Sequence, residues 1–247
     1  PGDLYACGGD SRWAEQRETG RRKALALLSS SPRYVKIIRA FPYVRAVAIS
    51  GSLSKYAAGK EADIDYFIIT APGRLWIART LLHLFKKLTF AAGLQHRFCM
   101  NYFIDETALE ITDRNLYTAI ELVTLIPAYN AALLDRLQKA NAWTAEFLPN
   151  AGSSHDLSYL TTSGREPLKR AVESFLELIR PGTLNLKLMS LTDRKWRKKW
   201  KRKGFPMEQY DEAFFTSLNV SKNHPANFRR QILEALAAKA RGEVRKK

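Results

Sequence analysis

Gly51 and Ser52 end one apolar run, and Asp63 and Asp65 open the next. These residue types at this spacing suit chemistry on a phosphate ester. Side chains alternate across a strand, so the two aspartates project from one face while Ile64 between them turns to the core. Carboxylates this close raise each other's pKa unless a cation intervenes, and a divalent metal, Mg2+ or Mn2+, is the ordinary counter-charge. The Gly51-Ser52 turn offers backbone amides and a hydroxyl of the kind that cradle phosphates. Ser54 and Lys55 follow in the same turn, and both are candidates to contact the phosphates of a nucleotide.

A Gly-Ser turn followed by Asp-x-Asp, each beside a Val/Ile-rich run, resembles the active-site signature of the DNA polymerase beta-type nucleotidyltransferase superfamily. The matching residues are Gly51, Ser52, Asp63 and Asp65, and the resemblance covers residues 33–112. It implies an α/β fold, a nucleotidyltransferase-type mixed sheet flanked by helices. It also implies magnesium-dependent transfer of a nucleoside monophosphate from an NTP such as ATP to a hydroxyl acceptor. Asp63 and Asp65 would then be the catalytic metal ligands, with Gly51, Ser52, Ser54 and Lys55 binding the nucleotide. Members usually draw a third carboxylate from a later strand. Here that strand is Phe98 to Ile104, and its in-register polar residue is Asn101, whose neutral amide ligates a divalent ion more weakly than a carboxylate. Asp105, Glu106 or Glu110 would supply the acid if the register is shifted. Ile49 through Ile111 also looks like a group of uncharacterised bacterial nucleotidyltransferase-like proteins. Asn101 leaves a second expectation open, a nucleotide- or nucleic-acid-binding module of the same fold with weakened catalysis.

Around this pair the patterning predicts helices at Trp13–Leu28 and Pro32–Phe41, a buried strand at Val44–Ile49, and a helix over Leu75–Phe90. Arg97–Ile104 reads as a strand with Leu109–Ile111 as its hairpin partner, and the chain beyond Asn115 reads as helical. The predicted helices there are Tyr117–Leu125 and Ala131–Phe147, broken at Pro127, then residues 166–179, stopped by Pro181-Gly182. A basic helix near 186–203 and a final helix from Pro225 to Arg241 complete the reading. The organisation is an N-terminal helical segment over 1–32, a core over 33–112 and a mostly helical region over 113–247.

Forty basic against 24 acidic residues give a net charge of +16 and favour polyanionic partners. The charge is densest in Asp193–Lys203, where Trp196 and Trp200 share one helical face, so this helix is expected to contact RNA or another polyanion. A membrane surface is the other expectation for a basic helix carrying tryptophan. Arg74 and Arg79 read mainly as surface charge. Two cysteines exclude a disulfide framework, and His83, His96, His155 and His224 are too scattered to read as a metal site. No apolar run is long enough to span a bilayer, no secretory signal is legible, and the expected location is cytoplasmic.

Overall fold

The computed structural model describes residues 11–59, 62–90, 93–151, 167–178 and 180–241. The side chains of Ser11 and Gln95 lie outside that description. The elements are α1 (Ser11–Arg39), β1 (Val44–Ser50), α2 (Gly51–Ser54), β2 (Asp65–Thr70), α3 (Leu75–Thr89) and β3 (Cys99–Asp105). They continue with α4 (Leu116–Val123), β4 (Ile126–Tyr129), α5 (Ala131–Ala140), α6 (Thr144–Phe147), α7 (Pro167–Glu177) and α8 (Pro181–Arg202). Last come α9 (Tyr210–Ala213), β5 (Val220–Lys222) and α10 (Phe228–Ala240).

The strands form one mixed five-stranded sheet in the order β4-β1-β2-β3-β5. β2 runs parallel to β3, and the other neighbours are antiparallel. Alternation along the strands divides the core in two. Val47, Ile49, Tyr66 and Ile68 meet Leu28, Val35 and Ile38 of α1 and Leu75, Trp76 and Leu82 of α3 on one face. Ala46, Ala48, Phe67 and Ile69 meet Ala119 and Leu122 of α4 and Leu133, Leu134 and Leu137 of α5 on the other. The molecule is therefore mixed α/β, with helices covering both faces of the sheet.

Several local expectations are corrected. The two predicted N-terminal helices are one, with Pro32 inside it. A proline in a helix interior leaves the carbonyl four residues earlier without its amide donor. Here the Ser31 hydroxyl donates to that carbonyl, on Leu28, at 2.7 Å, so the helix continues past the break. Pro127 interrupts no long helix but lies in β4, an edge strand, where a missing N–H removes no ladder bond to a further neighbour. Leu109–Ile111 is not a strand. The edge of β3 is taken instead by β5, from far along the chain, while the Ile111 amide donates to the buried Asn141 side chain at 2.8 Å. Pro181 opens α8 rather than merely stopping α7, in the first-turn position that proline tolerates best. Both edge strands come from the region after residue 113, which is mostly helical but completes the sheet.

Candidate active site

Ser50 is paired with Asp65 across the antiparallel β1–β2 ladder, so the turn that follows Ser50 must pass beside the Asp65 side chain. Gly51 makes this passage possible. Its φ is +70°, and a Cβ built there would lie 2.6 Å from Asp65 Oδ2. A side chain would meet both the left-handed backbone penalty and a clash with the carboxylate. Ile64 is fully buried and pairs through its backbone with His96 and Cys99, so alternation sends Asp63 and Asp65 to the same side of the sheet.

Asp65 is largely buried, and its pKa is raised to about 6. Desolvation is the main cause, and the charges of Asp63 and Glu121 add to it. Two groups oppose the rise, the Cys99 thiol through a hydrogen bond and Lys86 through its charge. Asn101 donates its side-chain amide to Asp65 Oδ1 at 3.1 Å. It faces Asp65 not in register but as the residue skipped at a ladder irregularity, where Asp65 and Tyr66 pair with Cys99 and Met100 but Phe67 pairs with Tyr102. Burial pushes the Cys99 thiol up to about 12, so it remains a neutral donor. Asp63 is more open, and its Oδ1 lies 2.7 Å from His96 Nδ1.

The remaining candidates are distributed unevenly. Ser52 is half-buried, and its hydroxyl has no protein partner among the described residues. The Ser54 hydroxyl is buried and donates to the Gly51 carbonyl at 3.0 Å, which braces the turn from behind. Lys55 Nζ donates to the same carbonyl at 2.9 Å and pairs with Glu121 at 2.9 Å. Its charge is thus engaged within the turn. Asp105, Glu106 and Glu110 do not join the site. Asp105 ends β3, whereas Asp65 pairs with Cys99 at the start of that strand. Its carboxylate accepts from the amides of Gly73 and Thr107 and from the Thr107 hydroxyl. Glu106 lies near Arg136, and Glu110 pairs with Arg114.

Two acidic-site neighbours escaped sequence reasoning. Glu121 is the only acid in α4, a helix otherwise apolar or neutral, and that solitary charge was the available signal. His96 precedes the β3 strand and reads as structural until its contact with Asp63 is seen. Among the described residues no group of three or more His, Cys, Asp or Glu side chains is placed to hold a metal ion. Asp63 and Asp65 stand as a pair, and the charge of Asp63 adds to the desolvation that raises Asp65, a repulsion that a cation would offset.

The basic helix is divided by side. Trp196 and Trp200 pack inward on Phe214, with ring centroids 6.1 and 5.0 Å away, so they are not available to a lipid interface. Arg197 is neutralised by Asp193 and Asp211, and Lys199 and Lys203 lie over the Trp200 ring. Arg194, Lys195, Lys198, Lys201 and Arg202 face solvent with no acidic partner among the described residues. Arg79 is not surface charge. It is buried between Trp76 and Trp196, and its guanidinium lies 4.4 Å from the Trp196 ring centroid. Arg74 forms a two-point pair with Glu177. His83 and His224 are buried away from the carboxylates with depressed pKa values, for which burial is the main cause. His155, the residues 152–166 and the final Arg245-Lys246-Lys247 lie outside the described residues. No helix of the described residues is long and apolar enough to cross a membrane.

Comparisons with family models, with curated proteins and with solved structures found no match for this chain.

Proposed function

We propose that this chain is a nucleotidyltransferase of the polymerase beta type, transferring a nucleoside monophosphate from an NTP to a hydroxyl acceptor. The observation that carries the reading is the contact between the Gly51 turn and Asp65, beside Asp63 on the same face. It brings the backbone amides of the turn next to the carboxylates. The mixed order of β1, β2 and β3 supports the nucleotidyltransferase-type fold in the same sense. Asp63 and Asp65 would hold Mg2+ or Mn2+, which when bound supplies Lewis acidity at the phosphates and at the acceptor hydroxyl.

The residues of the chain have separable parts in this reaction. Gly51 lets the turn pass directly against Asp65, and Ser52 donates its hydroxyl to a phosphate oxygen. Asn101 holds Asp65 in orientation through Oδ1, and the Cys99 thiol adds a second hydrogen bond to the carboxylate. The acceptor oxygen forms a bond to the α phosphorus, and the bond to the bridging oxygen of pyrophosphate breaks with its electron pair leaving on pyrophosphate. The acceptor proton passes to solvent. The solvent-facing cations of α8 favour an anionic acceptor, of which RNA is the leading choice.

A second reading has a specific observation in its favour. Asn101 sits at the ladder irregularity of β3 as an amide donor to Asp65, near where the resemblance implies a third acid. A module that binds a nucleotide without turning it over would have this arrangement. The two are separated by incubating the protein with each α-labelled NTP, Mg2+ or Mn2+ and cellular RNA, with Asp65→Asn as the control. Pyrophosphate release and label transfer that vanish in the variant are expected. Nucleotide binding with neither signal would favour the binding module, and no nucleotide binding at all would sink both.

A further inference from the structure

Helix α7 faces the wrong way for a helix that belongs only to a protein core. Its inward side is charged: Lys169 Nζ donates to the Arg39 and Val44 carbonyls at 2.7 and 2.6 Å. Glu173 accepts from both terminal nitrogens of Arg45 at 2.9 Å and from the Tyr43 amide at 2.6 Å, and Glu177 pairs with Arg74. Leu176 is its packed apolar residue. Leu168, Val172, Phe175 and Leu178 are instead exposed, at 76, 37, 66 and 79%. At about 100° per residue these four span an arc of roughly 120° along one side. Isolated exposed leucines need no explanation, but a continuous apolar stripe marks an interaction surface.

Charge selects the occupant. Both acids of α7 are neutralised by arginines of the sheet and of the loop before α3, whereas Arg170 on the helix and Arg180 just beyond it are solvent-exposed cations. A second copy of a chain carrying +16 is repelled. A nucleic acid could stack a base on Phe175 but leaves the aliphatic Leu168, Val172 and Leu178 uncovered. We infer that α7 docks the protein on an anionic bilayer surface, with its apolar arc sunk among the acyl chains and the strongly positive chain drawn to the headgroups. At 11 residues it can lie in an interface but cannot span one. The ion pairs with Arg45 and Arg74 would hold it against the sheet while it does so. This inference is independent of the nucleotidyltransferase reading.

The test is partition onto phosphatidylserine/phosphatidylcholine vesicles at physiological salt, measured by co-sedimentation and by light scattering of the free protein. Phe175→Ser with Leu178→Ser changes no charge and touches exposed side chains, so the fold is expected to survive, as circular dichroism will report. Wild type is expected to bind, and the double variant at least tenfold more weakly. Lys195→Gln with Lys198→Gln and Lys201→Gln on α8 is the control for charge alone, and a tenfold effect of the α7 change should persist in that background. Equal binding by wild type and the α7 variant would overturn the proposal, as would no binding by wild type. A concentration-dependent dimer abolished by the α7 variant, without vesicle binding, would give the stripe to a second copy.

Discussion

Asp65 and Asp105 stand at opposite ends of one parallel strand pair, β2 and β3, and they are provisioned in opposite ways. Asp105 is fully buried and saturated, with two backbone amides and one hydroxyl donating to it at 2.8, 2.9 and 2.6 Å. Asp65 is largely buried too, yet it has one long amide contact and a thiol, and it faces two further acids. A carboxylate surrounded by donors is a structural joint, here tying the β2–α3 loop to the end of β3. One that is desolvated and repelled leaves the folded chain with an unmet demand for positive charge or a proton. The difference makes Asp65, and not the better-anchored Asp105, the functional candidate.

The largest expected effect tests the saturated end. Asp105→Asn replaces one acceptor oxygen with a donor that faces other donors and should destabilise the fold by roughly 2–4 kcal/mol, read from denaturant unfolding. A loss under about 1 kcal/mol would break the comparison, because Asp105 would then be no joint at all.

The unsaturated end should respond with the opposite sign. Asp65 has its folded pKa raised from 3.8 to about 6, so the native state binds more protons than the unfolded chain between those values. Stability from this residue is therefore highest below pH 4 and falls as pH rises to about 6, by roughly 1–3 kcal/mol. Asp65→Asn should stabilise the protein by about that amount at pH 8, and the gain should shrink towards zero at pH 4. Unfolding midpoints of the two proteins across pH 4–8 check this. A variant less stable at pH 8 would mean that Asp65 is satisfied after all. Mg2+ should raise the wild-type midpoint at pH 8 and leave the Asp65→Asn midpoint unchanged.

Next in size is Gly51→Ala. The left-handed conformation costs about 1–2 kcal/mol for a residue with a Cβ, and that Cβ would stand 2.6 Å from Asp65 Oδ2. Stability should fall by about 2 kcal/mol, and the Mg2+ response should fall with it. Gly73, also at positive φ but with nothing within 4 Å of a built Cβ, is the control: Gly73→Ala should cost the backbone term alone.

How much of this was open to sequence reasoning follows from the range of the interactions. Asp65 opens β2 and Asp63 and Ile64 lie in the extended run just ahead of it, so the common side of the two aspartates follows from local alternation. Asn101 was legible only in part, because the ladder slips there and Met100 and Phe103, three residues apart, both join the same core. Glu121 was not, since its place depends on how α4 settles over the end of the sheet. The saturation of Asp105 depends on Gly73 and Thr107 arriving from two loops, and no periodicity encodes that. β5 joins β3 across more than a hundred residues of chain, beyond the reach of a hairpin signal. Arg79 misled for a different reason. Its burial needs Trp196 of α8 over the guanidinium, a contact whose partner could be seen in the sequence only as an aromatic residue pointing somewhere inward.

The smallest effect sharpens the comparison most, because it tests whether the acids around Asp65 act as a group. Glu121 raises the Asp65 pKa through its charge and is held by Lys55, which also donates to the Gly51 carbonyl. Glu121→Gln removes that repulsion and releases the Lys55 ammonium from its carboxylate partner. Both changes favour ionised Asp65. The Asp65 pKa should therefore drop, and the pH window in which stability declines should move to lower pH with it. The Glu121–Lys55 pair is partly exposed, so its loss should cost only a few tenths of a kcal/mol. Carbon-detected NMR titration of the aspartate carboxyls reads the shift directly. A titration curve for Asp65 that does not move would place Glu121 outside the site's electrostatics and leave desolvation and Asp63 as its whole cause.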